Sequence, residues 1–179
     1  MFWGGVLFCI AVPAMANTGM TFHIVSILGE AGITRGPSAF ILSMMAVVAF
    51  PISFLAGFLL ERVPLYKLFA FSFFIETIAV VILIVADSFM MAVLFGLARG
   101  IAEGIAILCM AIIIPQYFGR ENIGSLKGGA GMTSIVIASS LGPLPFGIAF
   151  DTFGGYTQIL LVMVLFFSVA AVIAWLNRG

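Results

Sequence analysis

Charge is what this sequence has least of. Only 8% of its 179 residues are Asp, Glu, Lys or Arg, while 64% are hydrophobic and the mean hydropathy is +1.32. A water-soluble domain coats itself with roughly a quarter charged residues, and this chain has no material for such a coat. That leaves an integral membrane protein. An excess of positive charge is missing too, since seven Lys and Arg balance seven Asp and Glu. This excludes the basic surface that nucleic-acid binding needs. Histidine occurs once and cysteine twice. Cys9 and Cys109 lie far apart inside apolar runs, so they read as small packing residues, with no disulfide framework and no metal site. The His-Glu-x-x-His, Gly-x-Ser-x-Gly and glycine–lysine phosphate-loop signatures are absent. The chain is therefore expected not to be an enzyme and to carry no cofactor.

Long apolar runs are what it has in abundance. A membrane-crossing helix needs about 20 consecutive apolar residues, and the runs between charge clusters number six. They are approximately Phe2–Leu28, Pro37–Leu60, Leu68–Ala86, Phe89–Tyr117, Gly128–Phe150 and Gln158–Leu176. Such runs are about twice the length of a barrel strand and lack its polar–apolar alternation. The connectors, such as "GEAGITRG", "ERVPLYK" and "DTFGGYT", are too short to hold a soluble domain. The opening "MFWGGVLFCIAVPAMA" ends in an Ala14-x-Ala16 pattern that resembles a signal-peptide cleavage site. No Lys or Arg precedes it, and apolar sequence continues to Leu28, so it reads as the first membrane helix. The expectation is an all-α polytopic protein with residues 1–179 as one six-helix transmembrane domain.

Six spans put both termini on one side. Arg62, Lys67, Arg120, Lys127 and Arg178 then fall on the side of the termini, and Arg35 falls opposite. Because Lys and Arg collect in cytoplasmic loops, both termini are expected to be cytoplasmic, in a multi-pass cell-membrane protein. Small residues mark where backbones can approach: Gly96, Gly100 and Gly104 on the fourth helix, and Ala130, Ser134, Ala138 and Gly142 on the fifth. The bulky "LFAFSFF" and "ILLVMVLFF" stretches of the third and sixth helices are suited to facing lipid.

Several stretches carry a resemblance. "GFLLERVPLYK" (Gly57 to Lys67) resembles a Gly-x-x-x-Asp-Arg-x-Gly-Arg loop, with Gly57, Glu61 and Arg62 fitting and Pro64 and Lys67 departing. "LGPLPFGIAFDTFGGY" holds Gly142, Pro143, Gly147, Asp151, Gly155 and Tyr156 in register with a fifth helix. "NTGMTFHIVSILGEAGIT" looks like an opening helix and loop, and "YFGRENIGSLKG" like a fourth-to-fifth helix connection. Together they resemble one half, the C-terminal six-helix half, of a major facilitator superfamily transporter. The Asn17 to Thr34 stretch resembles in particular the subfamily that includes monocarboxylate and oxalate/formate carriers. Members of that superfamily have twelve helices in two halves, with substrate held between them. The resemblance thus implies a half-size or truncated transporter, partnered by a second six-helix half or by another copy of itself. The alternative is a non-transporting membrane fragment or assembly partner.

The family's first and fourth helices line the central cavity, which turns attention to the intramembrane polar residues. Arg99 and Glu103 are one helical turn apart on one face, so they are expected to pair with each other or to serve solute or proton. Arg99 is the embedded cation that would bind a small organic anion. Asn17, Thr21 and His23 on the first helix complete the expected binding set, with His23 able to exchange a proton near neutral pH. The alternative for His23 is a hydrogen bond to neighbouring polar side chains. Glu76, in a third helix without a cation, is expected at the periphery as a neutral acid bonded to a serine or a backbone carbonyl. The resemblance makes Gly57, Glu61, Arg62 and Asp151 candidates for a conformational latch. A lone half is expected to expose Asn17, Thr21, Arg99 and Glu103 to lipid, at a cost of a few kcal/mol per charge.

Overall fold

An apolar run that cannot bond to water or to a neighbouring strand satisfies its backbone by forming an α-helix. The computed structural model describes residues 2–118 and 136–176, and among the described residues it is helical with no strand. The helices are α1 (Phe2–Glu30), α2 (Arg35–Leu60), α3 (Leu65–Ile84), α4 (Phe89–Phe118), α5 (Pro143–Phe153) and α6 (Thr157–Leu176). Residues 136–141 are also helical, and a turn at Gly142 joins them to α5. With them the fifth span runs Val136–Phe153, and six helices among the described residues are long and apolar enough to cross a membrane. The expected runs agree to within a few residues wherever both ends are described. Gly128, Ala130, Ser134, Arg120, Lys127 and Arg178 lie outside the described residues.

Local chemistry sets the helix ends. At the end of α1, Gly32 adopts φ 75°, and its N–H reaches the Gly29 carbonyl at 3.0 Å. The Ile33 N–H reaches the Leu28 carbonyl at 3.0 Å. This is the Schellman arrangement, in which a left-handed glycine lets the last carbonyls find donors. Ile33 and Leu28 are both buried, supplying its usual apolar contact. Gly154 closes α5 in the same left-handed region, at φ 72°. Pro13 and Pro51 sit inside α1 and α2, positions that membrane helices tolerate because neighbouring groups satisfy the freed carbonyls.

Helix α4 lies between α2 and α3, α3 packs on its other side against α6, and α1 packs against α5 and α6. The α4 glycines face α2 directly. A Cβ on Gly100 would stand 2.8 Å from the Met45 carbonyl oxygen, and one on Gly104 would stand 2.5 Å from that of Ala49. Backbone meets backbone there, the contact that small residues permit when lipid offers no hydrophobic reward for pairing. Gly142 plays the same part beside α1, where a Cβ would lie 2.5 Å from the Met15 carbonyl oxygen.

The lipid-facing expectation for α3 is corrected. Leu68, Phe69, Ser72, Phe73, Glu76, Ala79, Val80 and Leu83 are buried, while Phe71 and Phe74 on the other face are exposed. A helix that is apolar all round carries no moment to say which face turns inward, and here α4 and α6 cover one face of it. For α6 the expectation describes one face: Leu161, Leu165, Val169 and Val172 are exposed, and Leu160, Met163, Phe167 and Ala170 are buried.

The connections alternate between the two ends of the bundle. Residues 31–34 and 87–89 line one shared pocket. At that same end the Glu30 carboxylate accepts the Tyr156 N–H at 3.5 Å, just ahead of α6. Lys67 and Trp175 meet at the other end, with the ammonium 5.9 Å from the indole centroid.

Candidate functional site

Polar side chains of α1, α3 and α4 converge on Arg99. Short connections make α3 and α4 an antiparallel hairpin. Arg99 is ten residues into α4 and Glu76 eight residues from the end of α3, depths of ~15 Å and ~12 Å from the turn. They meet: the Arg99 Nη1 donates to Glu76 Oε1, and both side chains are buried, at 4% and 9% exposure. The Arg99 Nη2 donates to Asn17 Oδ1 on α1 at 3.2 Å, and Nη1 also approaches the Met20 sulfur at 3.6 Å. One turn along α1, the Thr21 hydroxyl donates to the same Asn17 oxygen at 3.3 Å. Two donors therefore hold the Asn17 oxygen toward the protein, which leaves its NH2 group as the side facing away. No buried side-chain N or O among the described residues lacks a partner.

These contacts correct the expected pairing. Arg99 bonds to Glu76 of the neighbouring helix and not to Glu103 of its own. Side chains on a helix lean toward its N-terminus, so Arg99 reaches away from Glu103, which lies one turn toward the C-terminus. The reading of Glu76 as a peripheral acid bonded to a serine or a carbonyl is corrected with it, since Glu76 is the buried counter-charge of the site. The expected exposure of Arg99 in a lone half is corrected as well. Its charge is neutralised by Glu76 of the same chain, and the residue is 3% exposed.

Two cavities open beside this cluster. The smaller, about 110 Å³, is lined by Asn17, Ser72, Glu76, Arg99 and Glu103 among others. The larger, about 480 Å³, lies between α1, α2 and α4 and has Asn17, Thr21, Ser53 and Glu103 as its polar lining. Asn17, Glu103 and Ile107 border both, so the two form one cleft with Arg99 at its deep end and Glu103 at the junction. Among the described lining residues, Arg99 is the only cation.

Of the expected binding set, Asn17, Thr21, Arg99 and Glu103 are brought together on this cleft. His23 is not. It follows Thr21 by two positions, about 200° around the helix, and borders neither cavity. Its ring stacks on Phe146 at 5.6 Å and lies 5.6 Å from Tyr156, and its Nδ1 is 3.1 Å from the Gly19 carbonyl. The expected polar side-chain partners of His23 are replaced by aromatic ones from α5 and the connection to α6. The latch candidates are also separated. Gly57, Glu61 and Arg62 lie at the end of α2 near α3, whereas Asp151 lies in the last turn of α5 near the opposite end.

Three residues of the cleft were missed by sequence reasoning: Glu76, Ser53 and Phe50. Glu76 was within reach, because equal depths on a tight hairpin follow from the connector length alone. Ser53 and Phe50 had no signal, since their place depends on the rotation of α2. No family model matches this chain, and neither the curated proteins nor the solved structures contain a match to it.

Proposed function

We propose that the chain is a six-helix half of a secondary transporter of major facilitator type, embedded in the cell membrane with cytoplasmic termini. In this reading it moves a small polar solute by alternating access, opposite a second six-helix half or another copy of itself. The observation that carries it is a cleft with amide, hydroxyl and carboxylate walls inside an array of helices apolar enough to span a membrane. A buried ion pair that served packing alone would need no cavity of about 480 Å³ beside it. Intramembrane ionisable residues facing a cavity mark solute and ion pathways as a rule. The loop resemblances and the five-to-one bias of Lys and Arg favour this fold and orientation. In this reading Gly57, Glu61 and Arg62, around the end of α2, serve as its cytoplasmic latch. An organic anion is a solute only if it displaces Glu76 from Arg99, which makes that pair the step to overcome.

The test is uptake into liposomes holding the purified chain, against empty liposomes, with small carboxylates, amines and polyols offered in turn. Saturable uptake of at least one class, weakened about tenfold or more by Asn17→Ala, is expected from the loss of a cleft hydrogen bond to a charged group. Uptake no faster than in empty liposomes for every class, from protein that elutes monodisperse as a dimer or with its co-purifying partner, would remove the transport reading.

A further inference from the structure

We propose that the cleft recognises a small organic cation, a protonated amine, with the Glu103 carboxylate as its counter-charge. The inference rests on the transport reading above and adds the chemical class of the solute. It starts from a count of charges. Among the described residues, the cleft is lined by one guanidinium and two carboxylates. Arg99 and Glu76 are bonded to each other in the deep, small cavity, so they cancel locally. Glu103 remains, half-buried, on the wall of both cavities. A carboxylate with low-dielectric walls around it favours an opposite charge far more strongly than it would in water.

The other walls agree with a cation. Phe50, like Glu103, lines the larger cavity, and an aromatic face attracts an ammonium group through its quadrupole. The Asn17 oxygen is occupied by Arg99 and Thr21, so what that amide offers a solute is its NH2 donor. An amine that also carries a hydroxyl would satisfy both walls, with its ammonium on Glu103 and its oxygen on Asn17. The larger cavity, about 480 Å³, is within the range of small-molecule sites, roughly 300–1,000 Å³. A carboxylate solute would fare worse. It would meet Glu103 first, and the guanidinium behind it is already bonded to Glu76 and Asn17.

The experiment is saturation binding of radiolabelled 2-hydroxyethylammonium to the full chain in liposomes, with acetate and ethylene glycol as competitors. Wild type should bind the amine saturably, and acetate should not compete. Glu103→Gln, which keeps the shape and removes the charge, should weaken binding at least about tenfold, the scale of one lost charge-assisted contact. Glu103→Asp should retain part of it. Amine binding that is equal in wild type and Glu103→Gln overturns the proposal. Binding or uptake of acetate in place of the amine overturns it too, while leaving the transport reading standing. If folded wild-type protein takes up neither class, both fall together. Should the Glu103→Gln protein fail to elute monodisperse, the competition between amine and acetate on wild type decides alone.

Discussion

At the scale of single residues, the informative contest is between Glu76 and Glu103 for Arg99. Glu103 lies one turn beyond Arg99, and Glu76 lies slightly nearer the α3–α4 turn. Glu76 wins because α3 presents it on the side toward which the Arg99 side chain leans. Burying two charges costs several kcal/mol each before their attraction returns it, so such a pair adds little net stability. Removing one member is different, because it strands the other without a partner. We predict that Glu76→Gln lowers stability by about 3–5 kcal/mol, while Glu103→Gln, which strands nothing, has a much smaller effect. The double replacement Arg99→Met with Glu76→Leu should recover most of the loss. Unfolding in detergent, followed by circular dichroism, reads all three. Equal loss from Glu76→Gln and Glu103→Gln would mean that Arg99 depends on both carboxylates alike.

Among whole elements, the crossing of α2 and α4 rests on glycine. A Cβ on Gly104 meets not only the Ala49 carbonyl oxygen but also Ile52, whose Cβ is 2.9 Å away. Backbone on one side and a β-branched residue on the other leave nothing that can swing aside. Gly104→Val is therefore expected to destabilise by overpacking, about 1–3 kcal/mol or more. Gly147 on α5 has nothing within 4 Å of an added Cβ, and Gly147→Ala should be tolerated. The contrast separates steric need from the mere presence of glycine in a membrane helix. Comparable thermal midpoints for the two variants would show that α2 and α4 have room to separate. The stripe Gly96, Gly100, Gly104 was visible as a spacing of four, but the spacing did not say which helix it would meet.

For the whole molecule, the prediction concerns orientation and assembly. In a background with Cys9 and Cys109 replaced by Ala, a membrane-impermeant thiol reagent applied from outside should label Thr34→Cys and Thr152→Cys. It should leave Glu61→Cys untouched until the membrane is opened. All three positions are exposed, so silence at Glu61 reports sidedness and not burial. Labelling of Glu61→Cys from outside would reverse the orientation. On the transport reading proposed above, the chain should also cross-link to a second copy or to a co-purifying six-helix partner in mild detergent. The polar cleft edge at Asn17 and Thr21 is exposed in the isolated chain, which favours such a cover. A monodisperse monomer that transports solute unaided would remove the need for a partner.

Composition by itself determined the class of this protein: with 8% charge and six apolar runs, helices of membrane-crossing length were the one way to satisfy the backbone. Glycine, proline and the loop charges marked the helix ends to within a few residues, because those signals are local. Asn17 and Thr21 could be read as one face of α1 from their spacing of four, and the same wheel places His23 on the other side. Even the meeting of Glu76 with Arg99 lay latent in the four-residue gap between their helices. What only the tertiary structure decided was rotation. Helix α3 carries bulky apolar residues on every side, and its few polar residues did not by themselves say which face turned toward α4; the same is true of α2 with Phe50 and Ser53. Rotation follows from which side chains interlock across each crossing, a property of pairs of helices that no single run of residues contains. That choice gave Arg99 its partner, and it left Glu103 facing the cleft.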